Sequence, residues 1–86
     1  MKKNQLLEAF IVELEKPGKN VRFRRLLQIC ETCFGKPRIE GSHHIYKMSW
    51  PGDPRINLQE EQSNAKLYQV QQVLKALRKL RARDDA

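Results

Sequence analysis

The sequence lacks any stretch approaching the roughly 20 apolar residues that a membrane-spanning helix needs. Its Met1-Lys2-Lys3 start is basic, but the segment after it alternates polar and apolar residues. It has neither the unbroken apolar run nor the small-residue cleavage site of a signal peptide, so a cytoplasmic protein with no membrane attachment is expected. Glycine is scarce, with four residues, and none falls in a dinucleotide-binding or P-loop fingerprint, which excludes those cofactor enzymes. There is no internal repeat and no low-complexity segment. With 86 residues the chain fits one domain, too small to enclose a large substrate cavity by itself. Only two cysteines occur, and in the cytoplasm both are expected as reduced thiols.

What is present is positive charge. Seventeen Lys and Arg against ten Asp and Glu leave a formal net charge of +7. The excess is uneven: residues 1–20 carry +1, residues 21–50 carry +4, residues 51–65 carry −2 and residues 66–86 carry +4. A solvated basic surface accounts for such numbers, and so does a polyanionic partner. Part of the C-terminal block has a structural reason, since cations suit the negative end of a helix dipole.

Hydrophobic spacing divides the chain into elements. Leu6, Leu7, Phe10, Ile11 and Leu14 recur at helical spacing, predicting a helix over residues 3–16 that Pro17-Gly18 ends. Asn20 is a suitable N-cap for a second helix carrying Phe23, Leu26, Leu27, Cys30 and Phe34 on one face. Arg22, Arg24, Arg25 and Gln28 fall on its wet side, and the helix should end within 32–35. The period then shifts to two. Arg38-Ile39-Glu40, His43 to Met48 and Arg55 to Gln59 read as three short strands. Gly41-Ser42 forms the first turn, and the segment from Ser49 to Pro54 forms a loop. A polar connector over residues 60–64 leads to a last helix from Leu67 to Arg83, with Leu67, Val70, Val73, Leu74, Leu77 and Leu80 as its apolar stripe. The expected class is α+β: a three-stranded antiparallel sheet with helices on one face, in the order α-α-β-β-β-α, leaving the other face open to a ligand.

Alternation along a strand assigns the two histidines to opposite faces. The Tyr46 and Met48 side is the better core face. His44 therefore points inward, and His43 outward with Ile45 and Lys47, beside Arg55, Asn57 and Gln59 of the next strand. That surface is polar, cationic and carries an imidazole, which exchanges protons near neutral pH and suits phosphodiester chemistry. A surface histidine is also commonly inert. Cys30 and Cys33 form a Cys-x-x-Cys, but they sit in a helical pattern, no second such pair follows, and adjacent histidines on a strand do not easily share one metal. Packing thiols are the expected outcome, with no metal or other cofactor. Trp50, in the loop, could stack on a base or cap the core.

Gly41-Ser42-His43-His44-Ile45-Tyr46 resembles the signature of the HicA family, the toxins of HicA–HicB toxin–antitoxin pairs. Asn20-Val21-Arg22-Phe23, Ile56-Asn57-Leu58-Gln59 and the run Ala65-Lys66, Tyr68-Gln69-Val70, Gln72-Val73-Leu74 are similar to further family segments in the same order, over about residues 20–80. The sequence departs from the pattern at Gly35-Lys36-Pro37, at Leu67 and in the Trp50 loop. The resemblance implies a fold like the double-stranded-RNA-binding domain over residues 20–86, with residues 1–19 as an N-terminal helical extension. It implies a metal-independent endoribonuclease that cleaves mRNA and blocks translation. His43 is then the catalytic acid or base, and a HicB-type antitoxin covers its face. Gly41, Ser42, Lys47, Arg38 and Arg55 are the residues expected to hold RNA and steady the charge of the transition state. Two other readings fit the same residues: an RNA-binding module without catalysis, and a protein-interaction domain serving an acidic antitoxin.

Overall fold

Lys3–Glu15 forms α1, a segment without glycine or proline in which Leu7, Phe10, Ile11 and Leu14 are buried. Its structure comes from a computed structural model, which describes residues 3–16, 20–48, 50–52 and 54–84. The expected stop at Pro17-Gly18 lies outside the described residues. After α1 come α2 (Phe23–Phe34), β1 (Arg38–Glu40), β2 (His43–Lys47), β3 (Arg55–Gln59) and α3 (Leu67–Asp84). The class is α+β, three helices with a three-stranded antiparallel sheet in the order β1-β2-β3.

Alternation gives the sheet two different faces. Tyr46, Ile56 and Leu58 are buried beneath α2 and α3, and His44 shares their side. Tyr46 stands opposite Ile56 and His44 opposite Leu58, so like faces like across the strands. One hydrophobic core joins these residues to Phe23, Leu26, Ile29 and Cys30 of α2, to Val70, Val73, Leu74 and Leu77 of α3, and to the apolar side of α1. α1 packs along α3. Three ion pairs fasten it: Glu8 to Arg81 (3.0 Å), Glu15 to Arg78 (2.6 Å) and Glu13 to Arg25. The last is two-pronged, with Arg25 Nε and Nη2 each donating to a Glu13 oxygen at 2.8 Å and the guanidinium lying over the Phe10 ring. The Glu13 carboxylate stabilises the Arg25 charge, raising its pKa further.

Two details differ from the pattern of the sequence. Asn20 is not the cap of α2. Arg22 takes that position without a side-chain bond, and the Phe23 N–H donates instead to the Ser63 carbonyl at 2.9 Å. Ala65 N–H donates to Val21 O at 2.7 Å beside it, so a short backbone bridge between the residues before α2 and those before α3 replaces a side-chain cap. Leu67 is not part of the α3 stripe: it is 71% exposed, while Gln69 is buried in its place. At the other end of α2, Gly35 stops the helix with φ +87° and its N–H on Glu31 O. No helix among the described residues is long and apolar enough to cross a membrane.

Candidate nucleic-acid interface

The turn between β1 and β2 holds two residues, Gly41 and Ser42, because Glu40 and His43 are direct partners. A two-residue hairpin turn needs a positive φ at its first position. Gly41 supplies it at +59°, and nothing lies within 4 Å of where a Cβ would stand, so conformation rather than space demands the glycine. Ser42 Oγ accepts a hydrogen bond from Gln59 Nε2 at 3.0 Å, tying the turn to the far end of β3.

His43 comes next, half-buried on the open face of the sheet. Its Nδ1 and Asn57 Oδ1 are 2.9 Å apart. The amide oxygen can only accept, so in the neutral ring this contact selects the tautomer in which Nδ1–H donates and Nε2 carries the lone pair. His44 does the opposite. Its ring meets the edge of Phe23 at 5.9 Å between centroids, and its Nδ1 is buried with no hydrogen-bond partner among the described residues. The inward and outward assignments from alternation hold.

A cleft of about 510 Å³ opens beside His43, lined by Asn57 and Gln59 of β3 and by Tyr68, Gln69 and Gln72 of α3. Gln69 explains why the helix reaches it. Its Nε2 donates to Gln59 O at 2.9 Å, and its Oε1 accepts from Lys66 N–H at 3.3 Å. The second bond is the return arm of a capping box, and the first pins the opening turn of α3 to the end of β3. Tyr68 and Gln72, one helical turn apart, therefore stand on the face that looks over the sheet end.

The cations are divided. Lys47 pairs with Arg55 and Arg38 with Ile45, and these four residues line a second, smaller cleft of about 160 Å³ on the same face. Lys47 lies four residues along β2 from His43, about 13 Å of strand. Lys47 and Arg55 face each other at the opposite end of the β2–β3 ladder from His43. They can hold a longer ligand at a neighbouring point. Glu40 is directly opposite His43, with its carboxylate on Arg38 at 3.0 Å. Residue patterning alone assigned no site role to Glu40, Tyr68, Gln69 or Gln72. Strand pairing across the Gly41-Ser42 turn was the available signal for Glu40. Nothing local marks the other three.

Trp50 is half-buried, with its ring against Phe34 at 6.5 Å and beneath the Arg83 guanidinium at 5.9 Å, which makes it a core cap. Cys30 and Cys33 are reduced and form no disulfide. Burial, with Cys33 nearby, pushes the Cys30 thiol up to about 12, so it is no nucleophile near neutrality. Among the described residues no three His, Cys, Asp or Glu side chains converge as metal ligands do. No protein family, curated protein or solved structure matches the chain.

Proposed function

We propose that this chain is a HicA-like toxin, a metal-independent endoribonuclease that cleaves mRNA with His43 as its acid–base group. The observation that carries the reading is the setting of His43: outward on an open sheet face, placed by the Gly41-Ser42 turn, with Nδ1 engaged by Asn57. The order α2-β1-β2-β3-α3 agrees with the helix, three strands, helix of a double-stranded-RNA-binding domain, and the net charge of +7 suits a polyanion.

RNA brings its own nucleophile. His43 Nε2 takes the proton of a ribose 2′-hydroxyl, the 2′-oxygen bonds to the adjacent phosphorus as the bond from phosphorus to the 5′-oxygen breaks, and the 5′-oxygen takes a proton from water, to which His43 in turn returns its own. The products are a 2′,3′-cyclic phosphate and a 5′-hydroxyl. One such group contributes about 10²–10⁴-fold, so the catalyst is slow, which suffices for growth arrest. Lys47, Arg55 and Arg38 hold the strand away from the cut, and an acidic antitoxin of the HicB type competes for the same face.

The test is induced expression of the unsubstituted chain beside His43→Ala, scoring growth and the integrity of a reporter mRNA. Arrest with mRNA loss in the first only, at equal folded protein, supports the reading. Equal arrest by both makes binding the toxic act. If purified protein binds RNA with no dependence on salt, phosphate contacts are not the basis of recognition and the antitoxin-binding reading takes over.

A further inference from the structure

The cleft beside His43 has a composition the cleavage chemistry does not require. Among the described residues that line it there is no lysine or arginine, the residues that grip phosphate. Instead it joins one exposed aromatic ring, Tyr68, to three amides, those of Asn57, Gln59 and Gln72. Tyr68 is 60% exposed although it is large and partly apolar. A flat ring left in solvent beside a nucleophile-activating group, with amides around it, is what an unstacked nucleobase needs: a π-face below and donors and acceptors at its edge.

The hydrogen bonds already made leave the edge functions available. Asn57 Oδ1 is committed to His43, and its Nδ2 takes no part in that contact. Gln59 Nε2 is committed to Ser42, and its Oε1 is not. One donor and one acceptor thus stand on the same face of β3. Gln69, the buried polar residue lining the cleft, makes two bonds to backbone and acts as the support that fixes Tyr68 rather than as a contact.

We infer that Tyr68, with Asn57, Gln59 and Gln72, forms a subsite for a single unpaired RNA base next to the scissile phosphate. This rests on the ribonuclease reading for its ligand but goes beyond it. A duplex keeps its bases stacked and offers none to the ring, so the subsite selects loops, bulges and single strands even though the fold suits a duplex backbone.

The experiment measures equilibrium binding of a labelled single-stranded RNA and of a blunt RNA duplex to the full chain carrying His43→Ala, alone and with Tyr68→Ala or Tyr68→Phe. Cleavage of the single strand is measured in parallel with His43 intact. Loss of one stacked base predicts about 5- to 150-fold weaker single-strand binding for Tyr68→Ala. Duplex binding should be unchanged, and Tyr68→Phe should stay within about twofold, since the ring rather than the hydroxyl stacks. Gln72→Ala should flatten the base preference of cleavage. Unchanged single-strand affinity in Tyr68→Ala overturns the subsite, even where cleavage by the unsubstituted chain upholds the ribonuclease. A loss as large in Tyr68→Phe as in Tyr68→Ala also overturns it and makes the hydroxyl the working group. If the unsubstituted chain never cleaves but Tyr68→Ala still weakens single-strand binding, the catalytic reading falls and the subsite stands.

Discussion

Gln69 ties the start of α3 to the end of β3 beside the cleft, and replacing it separates two kinds of support. The side chain is 2% exposed and holds Lys66 N–H at 3.3 Å and Gln59 O at 2.9 Å. Gln69→Ala leaves a backbone donor at the start of α3 and a backbone acceptor at the end of β3 without that partner. An orphaned buried group costs about 1–3 kcal/mol. These two are only part-buried and water can reach them, so the sum should be about 1–3 kcal/mol rather than twice that. For a domain of this size each kcal/mol moves the melting temperature by about 4–8 °C, which predicts a fall of roughly 5–20 °C followed by circular dichroism. Gln69→Glu refines the test. At neutral pH it keeps the acceptor for Lys66 N–H but turns a carboxylate oxygen toward the Gln59 carbonyl. Protonation restores a donor. The folded state therefore holds this proton more tightly than the unfolded chain, and the deficit should grow as pH rises above the ordinary carboxyl value of about 4.3 and be smallest below it. Gln69→Met fills the same space without either bond. If that variant melts as high as the unsubstituted chain, the two hydrogen bonds contribute nothing net and α3 is held to β3 by other contacts.

Three further outcomes are expected from the geometry. His44→Phe should keep or raise the melting temperature and leave RNA cleavage intact, because it removes a buried Nδ1 without a partner among the described residues and retains the edge contact with Phe23; loss of cleavage in a folded His44→Phe would show that His44, not His43, carries the chemistry. Ile11→Ala should cost about 2–5 kcal/mol in urea unfolding, since Ile11 is fully buried at the α1 surface of the core; a loss under about 0.5 kcal/mol would show that α1 is only loosely applied. The Cys30 thiol, raised to about 12, should resist a thiol reagent at pH 8 until the chain unfolds. The same shift means that its contribution to stability is intact below the unfolded value near 9 and is lost as pH rises from there to about 12, at up to about 1.4 kcal/mol per pH unit.

Much of this fold was legible because its signals are local. Ile56 and Leu58 alternate with Arg55, Asn57 and Gln59, and the strand they form is half-buried in that register. Gly41-Ser42 marks a turn by chemistry alone, and once Tyr46 and Met48 are assigned to the core, the outward direction of His43 is set by the pleat. What was not legible depends on contacts between distant segments. The bond from Phe23 N–H to Ser63 O displaces Asn20 as a cap, and no pattern near Asn20 announces it. Leu67 fits the spacing of a buried stripe, yet the pin made by Gln69 rotates the first turn of α3 so that Gln69 goes in and Leu67 stays out. The cleft is hidden for the same reason: Tyr68 and Gln72 read as ordinary helix surface until that turn is laid over the end of β3. The separation of Lys47 from His43 is a matter of strand length, which counting residues does reveal. Grouping both by face alone obscured it.

The place of α3 in the chain has a consequence for biosynthesis. α1, α2 and all three strands are made before it, yet α3 supplies Val70, Val73, Leu74 and Leu77 to the core and one wall of the cleft beside His43. The ion pairs that close α1 against it span 63 and 73 residues of sequence. Translating the 18 residues of α3 takes about one to four seconds at ~5–20 residues per second. Without α3 the inner face of the sheet is incompletely covered and the cleft beside His43 has one wall. The core and the cleft beside His43 are thus completed together, by the one step in which α3 folds back onto the sheet.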